Sequence, residues 1–397
     1  MRGASSSIRG RWTLDPAITF LNHGSFGACP TEVLEVQSAI RARLEREPVR
    51  FFIRESGALL DEARAALGAL IGAEADDLAV VNNATAGVNT VLRSLDLAPG
   101  DELLTTDHAY NACRNALEYV AARAGARVVV ARVPFPIAGA DDVVNAVLGC
   151  VTPRTRLALL DHITSPTALI FPIDRLVTEL AARGVDTLVD AAHAPGMVPM
   201  DLRATGAAFT TGNLHKWLCA PKGAAFLHVR RDRQAGVRPL SISHGASAVR
   251  ADRTRFRLEF DWTGTEDPSA FLSVPAAIRF LEGLLPGGLP ALMAENHRAA
   301  LAARQTICAA TGTLPPCPDV MVGSMASVLL PGPAEPLTGG LAIDPLQEAL
   351  FARFAIEIPV FPWPQLGQRI LRVSTPIYID SPEIDALTAA LGALGVR

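Results

Sequence analysis

The stretch Thr187–Gly223 opens with TLVDAAHAPGMVPMDL (residues 187–202) and closes with TTGNLHKWLCAPKG (residues 210–223). Thr187-Leu188-Val189 is a β-branched and apolar run that stops on Asp190, which reads as a buried strand releasing a carboxylate at its carboxyl end. Ala207 to Thr211 reads as a second short strand, followed by a polar turn that carries His215 and Lys216. Ligands of open α/β sheets sit outside the carboxyl ends of the strands. Asp190 and Lys216 are therefore either an ion pair tying two strands together or two members of one ligand site.

An acid and an amine delivered from neighbouring strand ends suit pyridoxal phosphate. The amine forms an imine with the aldehyde, and the carboxylate keeps the pyridine nitrogen protonated so that the ring can accept electrons. The neighbouring residues favour this reading. Asp190-Ala191-Ala192-His193-Ala194-Pro195-Gly196 resembles the strand-end motif of class V aminotransferase-like enzymes, and Thr210 to Trp217 resembles their lysine segment, with His215 before Lys216. The resemblance runs from about Leu21 to Arg397, and the flanking text looks most like isopenicillin N epimerase-type proteins. It implies a fold-type I PLP-dependent transferase: α/β, a mostly parallel doubly wound sheet plus a smaller C-terminal α/β domain.

Site residues follow from the same resemblance. Asp190 pairs with the ring nitrogen, His193 lies near the phenolic oxygen, and Thr211, His215 and Lys216 complete the lysine side. The turn Asn83 to Gly87 opens a helix over Val88–Leu95, and small residues there let backbone N–H groups face an anion. The family places the cofactor phosphate at this turn, which assigns Thr85 and the Ala86 amide. Asp107-His108-Ala109-Tyr110 ends another strand, where an aromatic stacks on the ring; His108 comes first and Tyr110 is its competitor. Thr164, Ser165 and Thr167 follow the strand ending at Asp161 and are expected beside the ring.

Asn22 and His23, in the turn-rich loop Leu21–Pro30, either reach the substrate or cap their own loop. Arg50 and Arg54 lie beside aromatics and serve either an anionic substrate or a solvated rim. Arg372, in Gln368–Pro376, sits in a buried-type strand; it resembles the family's L-R-[VI]-S arginine, which takes the substrate carboxylate. A salt bridge to a helix acid is the other reading. Thr263-Gly264-Thr265 resembles the Gly-Thr segment that reaches the neighbouring subunit's phosphate, so Thr265 and a homodimer with shared sites are implied.

A chain of 397 residues is too long for one simple core. Residues 1–15 read as a disordered tail, 16–50 as a segment joining the small domain to the active site, 51–266 as the large PLP-binding domain and 267–397 as the small domain. The net charge of −4 and the lack of any Lys/Arg block exclude a nucleic-acid footprint. Six scattered cysteines suggest reduced thiols, no metal set and a cytoplasmic protein. No apolar run spans a bilayer.

The chemistry implied is alpha-proton removal from an amino acid or amino-acid conjugate, with Lys216 as base. Isopenicillin N epimerase-like epimerisation is the favoured outcome; C–S beta-lysis or transamination is the alternative, and a catalytically silent PLP-fold binding protein is the remotest. Persulfide-forming desulfuration is opposed, because no cysteine lies between Pro318 and Arg397. Loops 234–257 and 314–340 are expected to select the substrate.

Overall fold

The computed structural model describes residues 6–332, 343–363 and 367–397. Its centre is a seven-stranded sheet: β1 (Leu78–Val81), β2 (Glu102–Thr106), β3 (Arg127–Ala131), β4 (Thr155–Asp161), β5 (Asp186–Asp190), β6 (Phe209–Asn213) and β7 (Ala225–Val229), in the order β1-β7-β6-β5-β4-β2-β3. Only β7 runs against the common direction of the other six strands. The strands are buried almost throughout because both faces are covered, and side chains alternate between them. Leu104, Ala158 and Val189 join a core with Val143, Leu176 and Leu180. Their chain neighbours Leu103, Leu157 and Leu188 join the opposite core with Val88, Val91 and Leu117. This is the doubly wound arrangement, and it gathers the carboxyl ends of β4, β5 and β6 at one edge.

A second, antiparallel sheet holds β8 (Met325–Leu330), β9 (Val360–Pro362) and β10 (Arg369–Ser374), in the order β9-β10-β8. Helix Gly288–Thr311 packs on it, and helix Ser381–Ala393 packs on that helix. One continuous core joins this part to the N-terminal helix Thr31–Arg46 and to Ser56–Ile71, through Val33, Leu67, Ala300, Val328 and Leu371.

Three expectations are corrected. The tail is ordered from Ser6: Arg9 pairs with Glu383 at 2.6 Å, and Trp12 is 5% exposed, packed edge-on against Phe280 with its Nε1 donating to the Ala28 carbonyl. Burying an indole that has a hydrogen-bond partner outweighs the flexibility of a serine-rich start; residues 1–5 lie outside the described residues. The phosphate-turn helix starts earlier, at Ala84, because the Asn83 side chain caps it through the Ala86 N–H. The Ala/Leu-rich stretch 269–284 reads in sequence as one long helix but forms two, Ser269–Leu272 and Val274–Glu282, with Pro275 in the first turn of the second. Among the described residues no helix is long and apolar enough to cross a membrane.

Candidate active site

A cleft of about 440 Å³ opens at the carboxyl ends of β4, β5 and β6. Lys216 lies in the turn after β6, and the chain is pressed close around it. Gly27 has φ +70°, and a Cβ there would lie 2.8 Å from the Lys216 Cα, so only glycine lets the N-terminal loop cross the lysine segment. Behind the phosphate turn, a Cβ on Gly87 would lie 2.7 Å from the Thr211 Cβ, so helix Ala84–Arg93 sits directly on β6.

Lys216 Nζ lies 3.2 Å from His193 Nε2. Burial, and then the Arg372 guanidinium, lower the Lys216 amine to about 8. Roughly a fifth of it is then neutral near pH 7.4 and able to act as a nucleophile or base, far more than for an amine at its ordinary value. Burial also drives His193 well below the usual imidazole range, so it faces Lys216 as a neutral acceptor. Asp190 is 3% exposed; its Oδ1 accepts the Ala192 N–H at 3.0 Å and its Oδ2 the Cys113 S–H at 3.1 Å. Burial raises its carboxyl, and a cation brought against it would offset that penalty. Thr85 and His215 also line the cleft, His215 with Nδ1 3.2 Å from the Ala224 carbonyl oxygen.

Several sequence-based assignments are corrected. His108 does not line the cleft: it is fully buried, 2.8 Å from Thr167 Oγ1 and 3.1 Å from the Val133 carbonyl oxygen, among Phe135, Phe171 and Trp363. Tyr110, 44% exposed, lines the cleft instead. The strand ends at Thr106, and the turn that follows points His108 inward. Thr164 is likewise buried, bonded to Thr167 and the Leu169 N–H, and Ser165 takes its place at the cleft. Thr211 donates to the Phe226 carbonyl between strands and does not reach the cleft. The Ala86 N–H is already bound to Asn83.

Asn22 and His23 cap and brace their own loop. Asn22 bonds Glu357 and Ser25, while His23 lies 2.7 Å from the Tyr378 hydroxyl and 3.0 Å from the Lys216 carbonyl oxygen. Ser25 and Phe26 of that loop are what line the cleft. Arg50 pairs with Glu55 at the surface and, like Arg54, is away from the cleft. Thr265 is exposed on a surface loop, outside the cleft of its own chain. No residue of 234–257 lines the cleft, and 333–340 of the second selecting loop lies outside the described residues.

Arg372 is 1% exposed in β10; Nη1 donates to the Ser165 carbonyl at 2.6 Å and Nη2 to the Ser25 hydroxyl at 2.9 Å. The salt-bridge reading fails, since no carboxylate of the described residues pairs with it. Sequence reasoning missed Asp161 and Lys222, which both line the cleft. Asp161 carries the signal that exposed Asp190, a carboxylate at the end of an apolar strand.

A model of class-V aminotransferases matches residues 34–317. The chain belongs to the class-V aminotransferase family. It is 36% identical over 400 residues to isopenicillin N epimerase of Streptomyces clavuligerus, covering 97% of each chain. It is 30% identical over 357 residues to an L-cysteine desulfhydrase of Arabidopsis thaliana, covering 86% of this chain and 77% of the other. A C-DES variant with glycine covalently linked to its PLP cofactor shares the fold (TM-score 0.78, 21% identity, 96% of this chain and 98% of that one).

Pyridoxal 5'-phosphate is thus the cofactor of this class-V chain, and the cleft fits it. His193 Nδ1 and Arg372 Nε are buried without hydrogen-bond partners, so the site holds polar groups that its own side chains leave unsatisfied. Lys216, Asp190, His193, Thr85 and His215 line this cleft together and are the side chains that would hold it. Among the described residues no cluster of His, Cys, Asp and Glu suits a metal ion.

Proposed function

We propose that this chain acts at the alpha carbon of an amino acid or amino-acid conjugate and inverts it, as an isopenicillin N epimerase-like enzyme. The observation that carries the reading is the Lys216 amine, lowered to about 8 in a cleft that also holds Asp190, His193 and Tyr110, with the buried Arg372 beside Ser165 and Ser25. Bound pyridoxal phosphate supplies an electron sink for the alpha carbon. Arg372 holds the substrate carboxylate through its forked guanidinium. Asp190 keeps the ring nitrogen protonated, and Lys216 Nζ takes the alpha proton. Burial raises the Tyr110 phenol above its ordinary range, so it keeps a proton to return to the other face. Full-length likeness to isopenicillin N epimerase supports this assignment.

A second reading, C–S beta-lysis, is favoured by the relatives named L-cysteine desulfhydrase; Lys216 would still take the alpha proton, and a thiol would leave. Transamination is the third outcome of the same first step. The lowered Lys216 beside Asp190 opposes a silent binding protein. The same reading makes the chain a cytoplasmic homodimer in which Thr265 reaches the partner's phosphate site, with a large domain over 51–266 and a small one over 267–397. Incubation of amino acids and thioether conjugates in heavy water, followed by mass analysis and chiral chromatography, tests it. Deuterium gain with inversion supports epimerisation. Pyruvate and thiol, or a keto acid, would overturn it in favour of lysis or transamination.

A further inference from the structure

Asp161 ends β4 as Asp190 ends β5, and the parallel register sets the two residues directly opposite one another. Residues in register on adjacent parallel strands point to the same face, on strands ~4.8 Å apart. Both carboxyls are buried, Asp161 at 4% and Asp190 at 3% exposure, and both line the cleft. Asp190 already accepts from Ala192 N–H and Cys113 Sγ, while Asp161 accepts the backbone N–H of Tyr110. The Lys216 amine is the cation that acts on both, and the Cys113 thiol and the Tyr110 phenol are their other titratable neighbours. Two buried carboxyls this close do not both ionise at neutral pH; they share one proton. The ring nitrogen requires the negative charge on Asp190, so the proton belongs on its neighbour.

We propose that Asp161 stands as a neutral acid beside the Asp190 carboxylate, donates its O–H to it, and is the positioning residue that keeps Asp190 ionised and aimed at the ring nitrogen. Burial and the Asp190 charge push Asp161 well above the carboxylate range, in accord with that order. The inference rests on Asp190 as the ring-nitrogen partner in the reading above, and holds whichever reaction follows.

The test compares Asp161→Asn, which keeps a donor without a charge, with Asp161→Leu, which removes the donor, in the PLP-loaded enzyme. Infrared spectra at pH 7 should show the carbonyl stretch of a neutral carboxyl in the wild type and its loss in Asp161→Asn. Cofactor affinity should stay near the wild-type value in Asp161→Asn and fall by about tenfold in Asp161→Leu, the loss of one hydrogen bond to a charged group. Circular dichroism confirms that both variants fold. Should Asp161→Leu misfold, the infrared difference and the affinity of Asp161→Asn decide alone. An unchanged infrared spectrum in Asp161→Asn, or loss of cofactor from it as severe as from Asp161→Leu, overturns the proposal. Asp190→Asn with undiminished cofactor affinity would instead remove the ring-nitrogen assignment, a result separable from either.

Discussion

Replacing Arg372 by alanine probes how the site holds substrate, and the structure sets the size of the effect. The guanidinium is buried, it donates to a carbonyl and a hydroxyl, and its Nε has no hydrogen-bond partner. Burial lowers it to about 10, a cation whose charge no carboxylate of the described residues balances. A substrate carboxylate supplies that balance. One charge-assisted hydrogen bond contributes about 1.5–3 kcal/mol, and each 1.4 kcal/mol is roughly a factor of ten. Arg372→Ala should therefore weaken amino-acid binding about 10- to 150-fold, read as the substrate concentration that shifts the visible band of the PLP-loaded enzyme. Arg372→Lys should recover only part of this, because an ammonium cannot reproduce the fork. The cofactor band without substrate should persist in both. Removing the Arg372 cation should also let the Lys216 amine of the cofactor-free protein rise from about 8 toward its ordinary range. Undiminished substrate binding in Arg372→Ala would refute the carboxylate role and with it the alpha-amino-acid substrate.

Lys216→Ala should abolish the visible band of the purified yellow protein; a colourless wild type that cannot be reconstituted would defeat the lysine assignment. Tyr110→Phe should suppress inversion more than alpha-proton exchange, by about 10²-fold or more for a lost general acid. His108→Leu should instead cost about 1–3 kcal/mol of folding stability by denaturant titration, leaving the buried Val133 carbonyl without its partner, and equal effects of both variants on the inversion-to-exchange ratio would refute this division. Thr265→Ala should weaken PLP retention in a protein of dimeric native mass; a monomer with normal retention would contradict the shared site. Acid should destabilise the fold: His23 is lowered by burial to about 3 and His162 to about 4. Between those values and about 6.5 the unfolded chain binds more protons, so stability is full above about 6.5 and falls as pH drops, by up to ~1.4 kcal/mol per pH unit for each such histidine. Thermal midpoints from pH 7.5 to 4.5 should fall less steeply in His162→Asn than in wild type; identical slopes would count against it.

Much of this protein is decided locally. Thr187 to Asp190 is apolar up to a carboxylate, and the strand–helix alternation around it specifies a doubly wound sheet. That alone places Asp190, Asp161 and Lys216 at one edge, because parallel strands bring their carboxyl ends together. Which side chain turns into the cleft is not local. His108 and Tyr110 stand two residues apart in one turn, and only packing against Phe135, Phe171 and Trp363 draws the histidine inward and leaves the tyrosine outside. Asn22 and His23 look like ligands until Glu357, Tyr378 and the Lys216 carbonyl, distant in the chain, claim their polar atoms. Trp12 anchors a serine-rich start because the Phe280 ring and the Ala28 carbonyl wait for it. A strand end can be read from its own residues, whereas the partner that satisfies a buried polar group comes from another part of the chain, and only the folded molecule names it.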